Sequence, residues 1–410
     1  MLYRLGTLLY ITAIKLAAVF GNAKAKLWVN GRKGLLQEIE AIDWGNREYI
    51  WVHCASLGEF EQGRPLIEKI KQENPSQKIL LTFFSPSGYE VRKNYSGANY
   101  IFYLPADLQD NAARFIAAVK PKTALFIKYE FWEGYLSALQ LTSTPTFLVS
   151  AIFRANQYFF KYKRLMPLRV FSYFFVQNQQ SKSILHLHGF KNAEITGDTR
   201  FDRVHDVAQS LSKLAVIEEF ANGNKLFIAG STWPEDEKHL AQLIATTPVG
   251  YKFVIAPHDV NPTRIAELKK LFSNYNLALY TQGKTEGLAD AQILIIDTIG
   301  VLSVAYRYAH ISYVGGGFNS GIHNVLEAAV YGHPIIFGPK HTKFAEALEL
   351  LKLHAAFSIK NVDDLLHIFN NLNTDTRLYM LAGAASRKYV LENTGATNKI
   401  YNYLKDEGLV

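Results

Sequence analysis

The residues of this chain whose types and spacing suit chemistry fall in two groups, one in each half. In the second half, the run His310 to Val314 leads into Gly315-Gly316-Gly317-Phe318-Asn319-Ser320-Gly321, after which His323-Asn324-Val325-Leu326-Glu327-Ala328-Ala329 begins a helix. Glycines there let the backbone come close to a ligand, and a helix start offers N–H groups and partial positive charge to a phosphate. Glu327, one turn in, is placed to accept hydrogen bonds from ribose hydroxyls; the same pattern also fits a tight structural turn followed by a solvated glutamate. A second helix start follows Asp297-Thr298-Ile299-Gly300-Val301-Leu302, so two N-termini at one sheet edge would form a phosphate pocket. The loops Ser231-Thr232-Trp233 and Ala256-Pro257-His258 would line the same pocket, although each by itself reads as an ordinary loop.

In the first half, Tyr49 to Cys54 ends in Ala55-Ser56-Leu57-Gly58-Glu59-Phe60-Glu61, a small-residue loop opening a helix. Glu59 is there either a general base or an acidic residue complementing the helix dipole. Between Phe153 and Phe175 stand nine aromatics with Arg154, Lys161, Lys163, Arg164 and Arg169, a mixture that suits lipid phosphates or an amphipathic core helix with a basic outer face. Metal signals are poor: no Asp-x-Asp is present, and His186-Leu187-His188 lacks a third ligand nearby. The absence of G-x-x-x-x-G-K-[ST] and G-x-S-x-G excludes P-loop kinases and the usual serine hydrolases.

These loops need strands to hold them, and the sequence supplies them in a regular rhythm. Apolar runs at 49–54, 78–84, 100–104, 123–128, 146–150 and 173–177 alternate with helical stretches, a polar helix follows near 206–223, and the rhythm restarts at 226–230, 252–256, 292–297, 310–315 and 334–338. This is an α/β chain of two doubly wound domains in tandem, each offering a site at the carboxyl ends of its strands, with a cleft between them. The expected divisions are a lead over 1–34, a first domain over 35–205 and a second over 206–410, its last helix packing back on the first.

With 410 residues, 49% hydrophobic and 20% charged, the chain is long enough for more than one core, and its single cysteine, Cys54, excludes internal disulfides and Cys-rich metal sites. The formal net charge is +8, but Arg4, Lys15, Lys24, Lys26, Arg32 and Lys33 precede the first acidic residue, leaving +2 on the rest. That distribution suits anionic membrane lipid rather than nucleic acid. Residues 2–20 form an apolar helix whose uncharged stretch, Leu5 to Ile14, is short for a bilayer. A helix lying in the interface fits best; a soluble helix packed on the body and a signal peptide remain open.

Taken in order, several segments resemble the Kdo (3-deoxy-D-manno-octulosonic acid) transferase family. They are Leu27-Trp28-Val29-Asn30-Gly31-Arg32-Lys33-Gly34, Ser56-Leu57-Gly58-Glu59, Phe83-Phe84-Ser85-Pro86-Ser87-Gly88, Gly197-Asp198-Thr199-Arg200-Phe201-Asp202, the Gly315-Gly316-Gly317 and His323 to Ala329 stretches, and Gly338-Pro339-Lys340-His341-Thr342. The resemblance implies a GT-B fold and transfer of Kdo from CMP-Kdo to a lipid A precursor of lipopolysaccharide, with inversion and without a cofactor or a metal in the transfer. It also implies a place at the cytoplasmic face of a Gram-negative inner membrane, attached by the N-terminal helix. It assigns Glu59 as the base, carries over Glu130 and Arg200 as catalytic, and places CMP on Pro257, His258, Ile299, Gly300, Val301, Asn324, Val325, Leu326 and Glu327. The chain departs from the family pattern at three places. Lys128-Tyr129-Glu130-Phe131-Trp132 has Lys128 where the family has Glu; Pro257-His258 lacks an Arg; and Ser150-Ala151-Ile152 replaces Asn-Ala-Arg, with Arg154 nearby. Arg200 itself stands where the family usually has Lys, which keeps charge but not geometry. The rival readings are another GT-B transferase, a nucleotide-sugar epimerase, and a peripheral lipid-binding protein without catalysis.

Overall fold

A computed structural model describes residues 2–284 and 286–410. The apolar runs condense into two parallel seven-stranded sheets, one in a unit ending at Arg203 and completed by Thr394–Val410, the other in Val204–Asn393. The first sheet holds β1 (Tyr49–Cys54), β2 (Lys78–Phe83), β3 (Tyr100–Tyr103), β4 (Thr123–Ile127), β5 (Thr146–Ala151), β6 (Tyr173–Val176) and β7 (Ala193–Ile195), in the order β3-β2-β1-β4-β5-β6-β7. Parallel strands require crossovers and are covered on both faces, so β1, β4 and β5 are buried throughout and read as mostly apolar runs. The order reverses between β1 and β4, and ligands in such sheets bind outside the carboxyl ends of the strands at that switch.

The second sheet holds β8 (Lys225–Thr232), β9 (Tyr251–Pro257), β10 (Leu277–Leu279), β11 (Ile293–Ile295), β12 (Ala309–Val314), β13 (Ile335–Phe337) and β14 (Ala356–Ser358), in the order β10-β11-β9-β8-β12-β13-β14. Its switch lies between β8 and β12. This is the α/β, doubly wound GT-B class expected from the sequence. Strands β7, β10 and β14 add to those expected, and the helix expected over 206–223 is two, Thr199–Gln209 and Ala215–Ala221, parted at Ser210–Leu214.

Ahead of the first sheet come helices α1 (Leu2–Val19), α2 (Ala23–Asn30) and α3 (Leu35–Glu40). Gly21, at φ 94°, turns the chain, and Asn22 Oδ1 caps α2 by accepting from Ala25 N–H at 2.9 Å, so α1 and the following helical segment are bent by 117°. Among the described residues no single helix is long and apolar enough to cross a membrane. α1 is seated on the unit: the Tyr3 hydroxyl donates to Asp107, Ile11 is buried, and Tyr10 stacks on Phe84 at 6.1 Å.

Two sequence expectations are corrected here. Arg32 is no surface cation: it donates to the carbonyls of Phe84 (2.7 Å), Leu104 (2.9 Å) and Trp28 (3.2 Å), its guanidinium lies 3.9 Å from the Trp28 ring, and burial lowers its pKa to about 9. It holds α2 to the strand ends and is not available to lipid. The aromatic run is mostly core: Phe153, Phe160, Phe171, Phe174 and Phe175 are buried, and only Tyr158 and Tyr162 among its rings are well exposed.

Helix α4 (Leu57–Glu73) packs tightly under β1 and β4 because Gly63 has no side chain: a Cβ there would lie 3.1 Å from Ile127 Cγ1 and 3.2 Å from Cys54 Sγ. On the same face the last helix, Ala396–Asp406, buries Ile400, Tyr401 and Leu404 with Ile67 and Ile70. Asp202 fixes its start, accepting from Thr397 N–H at 2.7 Å and Thr397 Oγ1 at 2.6 Å.

Candidate active site

At the switch of the first sheet, β1 delivers Glu59 through the first turn of α4 and β4 delivers Glu130 three residues past its end. Glu59 is half-buried and accepts from the Ser56 hydroxyl; Glu130 is buried. Both carboxylates flank the buried Cys54 thiol, whose pKa is pushed up by burial first and by Glu59 and Glu130 next. Beneath Glu130 lies a relay that sequence reading missed. Trp51 Nε1–H donates to Thr82 Oγ1 at 2.8 Å, so the Thr82 hydroxyl proton is directed to His53 Nδ1, also at 2.8 Å. That assignment puts the imidazole proton on Nε2, facing Glu130 Oε2 at 3.3 Å. Trp132 Nε1–H donates to the same oxygen at 2.5 Å. Two N–H donors thus hold Glu130 in place as an acceptor. The available signal was one polar residue, His53, near the end of an otherwise apolar strand.

The backbone at this edge is strained. Lys128, at φ 70°, is the central residue of a γ-turn closed by Tyr129 N–H to Ile127 O at 3.1 Å, and its Nζ lies 5.3 Å from the Tyr129 ring. Ser150, at φ 52°, is the last residue but one of β5 and meets Thr199 Oγ1 at 3.0 Å. Arg200 reaches the same edge. Its Nε and Nη2 donate to Asp198 Oδ2 at 2.9 and 2.8 Å, while Gln62 Nε2 donates to Asp198 Oδ1 at 3.0 Å. Burial pushes the Asp198 carboxyl up, but Arg200 and these hydrogen bonds outweigh it and the net shift is downward. Arg200 is therefore held by an ionised, fully buried partner, a role for Asp198 that the i, i+2 spacing alone did not disclose. The Tyr129 phenol is raised, by burial above all, against the opposing influence of Arg154 and Arg200.

In the second unit the expected residues lie at the carboxyl edge as well, with different local geometry. The glycine run serves main-chain packing: a Cβ on Gly315 would lie 2.4 Å from Ser231 O, and one on Gly317 2.6 Å from Gly338 Cα. The two helix starts are single turns, Leu302–Ala305 and Leu326–Ala329, too short to build up a macrodipole, so the phosphate pocket expected from two aligned helix N-termini is not formed that way. Val325 and Leu326 bury their side chains, as does Pro257, leaving main-chain groups for any ligand; Leu326 N–H is met by Asn324 Oδ1 at 3.3 Å. Asn324 Nδ2 donates to Glu327 Oε1 at 3.0 Å, while Ile299 and Gly300 are exposed and Val301 is half-buried. His258 stacks with Trp233 (4.9 Å) and His323 (4.4 Å), and Trp233 Nε1–H donates to His323 Nε2 at 3.1 Å.

The residue that organises this edge is Asp236, which the sequence did not single out. Fully buried in the helix Pro234–Thr246, it accepts from Gly316 N–H (2.9 Å), Trp233 N–H (2.9 Å) and the Tyr313 hydroxyl (2.7 Å), so one carboxylate ties the ends of β8 and β12 together across the switch. Beside it Glu237 accepts from Thr232 Oγ1 at 2.8 Å and pairs with Arg264.

Burial holds His323 down at about 4, with His258 adding to the effect, and burial likewise holds His310 and His333 at about 4. Unfolded, these rings would take up protons near 6.5; folded, only near 4. The unfolded chain therefore binds more protons across that window, and the histidines make the second unit less stable as pH falls from 6.5 towards 4. His333 Nε2 has no hydrogen-bond partner among the described residues. The expected result is that His333→Leu narrows the drop in melting midpoint between pH 7.5 and pH 5, measured by circular dichroism. An unchanged drop would show that this ring takes up no protons on unfolding.

Two tandem doubly wound sheets, each with polar groups gathered at its carboxyl edge, define an α/β protein of the GT-B architecture. The putative UDP-N-acetylglucosamine 2-epimerase from Listeria monocytogenes shares that fold, with a TM-score of 0.61 at 15% identity over 88% of this chain and 96% of that one. Residues 29–203 match the family model described as 3-Deoxy-D-manno-octulosonic-acid transferase (kdotransferase), ending where the first unit ends. A 3-deoxy-D-manno-octulosonic acid transferase of Aquifex aeolicus is 27% identical over 77% of this chain and 84% of its own length. A bifunctional glycosyltransferase/methyltransferase of Fusobacterium nucleatum is 27% identical over 96% of this chain, which spans 63% of that longer protein. Over residues 29–203, and at 27% identity to these relatives, the chain is similar to the Kdo transferases, which are glycosyltransferases.

Proposed function

We propose that the protein transfers Kdo from CMP-Kdo to a lipid A precursor, with inversion at the anomeric carbon and no metal in the transfer step. The observation that carries this reading is that Glu59 and Glu130 both stand at the β1/β4 switch, Glu130 held by His53 and Trp132, with Arg200 held by Asp198 in the same unit. In this reading Glu59 takes the proton of the acceptor hydroxyl while that oxygen bonds to the anomeric carbon, and the bond from that carbon to the CMP phosphate breaks, its electron pair leaving with CMP. Glu130, held by His53 and Trp132, and Arg200, held by Asp198, fix the charge around the reacting centre. The donor sits at the edge of the second sheet, with the ribose at Glu327, the phosphate near Gly300 and Asn324, and the base against Pro257 and His258. Incubating the protein with CMP-Kdo and a lipid A precursor, then weighing the lipid product by mass spectrometry, tests reaction, acceptor and stoichiometry together. No mass increment on the lipid would reject the reading.

Two expected results follow from it. Glu327→Ala should weaken CMP binding by about 1.5 to 3 kcal/mol, the range for hydrogen bonds to a charged group. Equal CMP affinity in calorimetry would place the nucleotide elsewhere. The second concerns attachment to the cytoplasmic face of the inner membrane, which this reading assigns to α1. Leu9, Leu16 and Phe20 are 62%, 53% and 86% exposed, an apolar face accompanied by Lys15, Lys24 and Lys26. The triple change Leu9→Ser, Leu16→Ser, Phe20→Ser should release the protein from anionic vesicles in a flotation assay, whereas high salt alone should release only part of it. Flotation equal to that of the wild type would remove α1 as the anchor.

A further inference from the structure

The corner between α1 and α2 leaves a cavity of about 400 Å³ against the loop that follows β2. Tyr10, Ile14 and Ala17 of α1, Trp28 of α2, and Phe84 and Pro86 of the loop form its walls. This is an apolar slot of the size that holds small ligands. Trp28 is 5% exposed, yet its indole Nε1–H has no acceptor among the described residues, an arrangement that costs stability unless an incoming oxygen accepts it. Lys24 stands at the rim, Lys15 and Lys26 lie on the same two helices, and no acidic residue precedes Glu38, so the charge around the opening suits an anion. The exposed apolar face of α1 continues away from the slot. An apolar slot with a cationic rim, walled by a tryptophan whose buried N–H lacks an acceptor, is complementary to an acyl chain that carries an oxygen near an anionic head.

The position of the slot selects among lipids. Phe84, which walls it, lies 4.6 Å from the Trp132 ring, and Trp132 Nε1–H donates to Glu130. On the other side Ser85 N–H donates to Ala55 O at 2.7 Å, in the loop that delivers Glu59. The cavity wall thus touches Trp132, which holds Glu130, and the loop that delivers Glu59, a place where a chain of the reacting lipid would lie and a chain of the surrounding bilayer would not.

We propose that this cavity holds one acyl chain of the lipid acceptor. Trp28 Nε1–H donates to the carbonyl or hydroxyl oxygen at the head of that chain, and Lys24 faces an acceptor phosphate. The proposal rests on the reading of the acceptor as a lipid, and it makes α1 and α2 part of the acceptor site as well as an attachment device. Seating the chain fixes how far the acceptor hydroxyl stands from Glu59, so the enzyme selects acceptors by acylation.

The test uses the full chain in detergent with CMP-Kdo and two acceptors, an acylated lipid A precursor and its de-acylated glycan. Ala17→Trp fills the slot; Trp28→Phe removes the N–H and keeps most of the ring. With the acylated acceptor, KM should rise about tenfold in Ala17→Trp and about threefold in Trp28→Phe, kcat should stay within about twofold, and the glycan should serve all three proteins alike. One KM for the acylated acceptor across all three proteins overturns the proposal. Labelling of the wild type is independent of turnover: a phosphatidic acid with a diazirine in its acyl chain should, on photolysis, mark the wall residues Tyr10, Ile14, Ala17, Trp28, Phe84 and Pro86 and be displaced by the acylated acceptor. Marks confined to Leu9, Leu16 and Phe20 and not displaced mean contact with bulk lipid, and also overturn it. If the wild type makes no product with either acceptor while the displaceable marks at the walls persist, the acyl site stands and the Kdo reading falls.

Discussion

Glu59→Gln is expected to lower kcat by about 10² to 10⁴, the usual contribution of a general base, and to leave CMP affinity unchanged. The amide keeps the shape of the side chain and can still meet the Ser56 hydroxyl, but it cannot accept a proton at neutral pH. Its structural cost is small, because a carboxylate in the first turn of a helix gains only about 0.3 to 1 kcal/mol from the dipole. The fold of α4 rests instead on the buried Phe60, Leu66, Ile67 and Ile70 and on the close approach allowed at Gly63. A steady-state assay with saturating CMP-Kdo separates the two roles of this glutamate. More than half of the wild-type turnover in the variant would return Glu59 to a helix-capping role.

Asp236→Ala is the largest stability change expected. Removing one carboxylate orphans three buried donors, the N–H groups of Trp233 and Gly316 and the Tyr313 hydroxyl. At about 1 to 3 kcal/mol for each unsatisfied group, the loss is on the order of 4 kcal/mol or more, enough to unfold a marginal unit. Asp236→Asn is the control: its single oxygen can take the place of Oδ2, which serves both N–H groups, so only the Tyr313 contact is lost and the cost falls to about 1 to 2 kcal/mol. Urea unfolding of the full chain should show the transition of Val204–Asn393 shifted to much lower urea in the alanine variant and modestly in the asparagine variant. Equal midpoints for wild type and alanine variant would mean that the β8/β12 edge is held by main-chain packing alone.

The strands that frame the two sites were legible because burial on both faces favours predominantly apolar, β-branched and aromatic runs, such as Thr123–Ile127 and Ile335–Phe337. The three strands not read from the sequence, β7, β10 and β14, are three residues long and lie at sheet edges, where one neighbour suffices and apolar content is no longer required. At the sites, glycine-rich loops after strands marked the right places, and Glu59, Arg200 and Glu327 all lie at the carboxyl edges expected of them. Their supports did not show in the sequence. His53, Thr82, Asp198 and Asp236 act through side-chain hydrogen bonds to residues far along the chain, as with Thr82 and His53 or Asp236 and Gly316, and no local periodicity encodes such pairs. Arg32 illustrates the converse: a basic residue in a basic segment is half-buried and held because three carbonyls and a tryptophan face await it.

The return of Thr394–Val410 to the first unit sets the order in which the chain can mature as it is synthesised. Residues Val204–Asn393 are continuous in sequence, so their sheet and core are fully available once Asn393 has left the ribosome. The first unit must wait longer: the face of α4 around Ile67 and Ile70 stays uncovered until Ile400, Tyr401 and Leu404 arrive, and Asp202 has no helix start to cap until Thr397 is made. The amino-terminal half, which carries Glu59 and Glu130, is therefore the last to close, against the usual N-to-C order of domain completion. A nascent chain stalled just past residue 393 would expose that apolar face to chaperones, and a lesion in the final helix would disable the unit that was translated first.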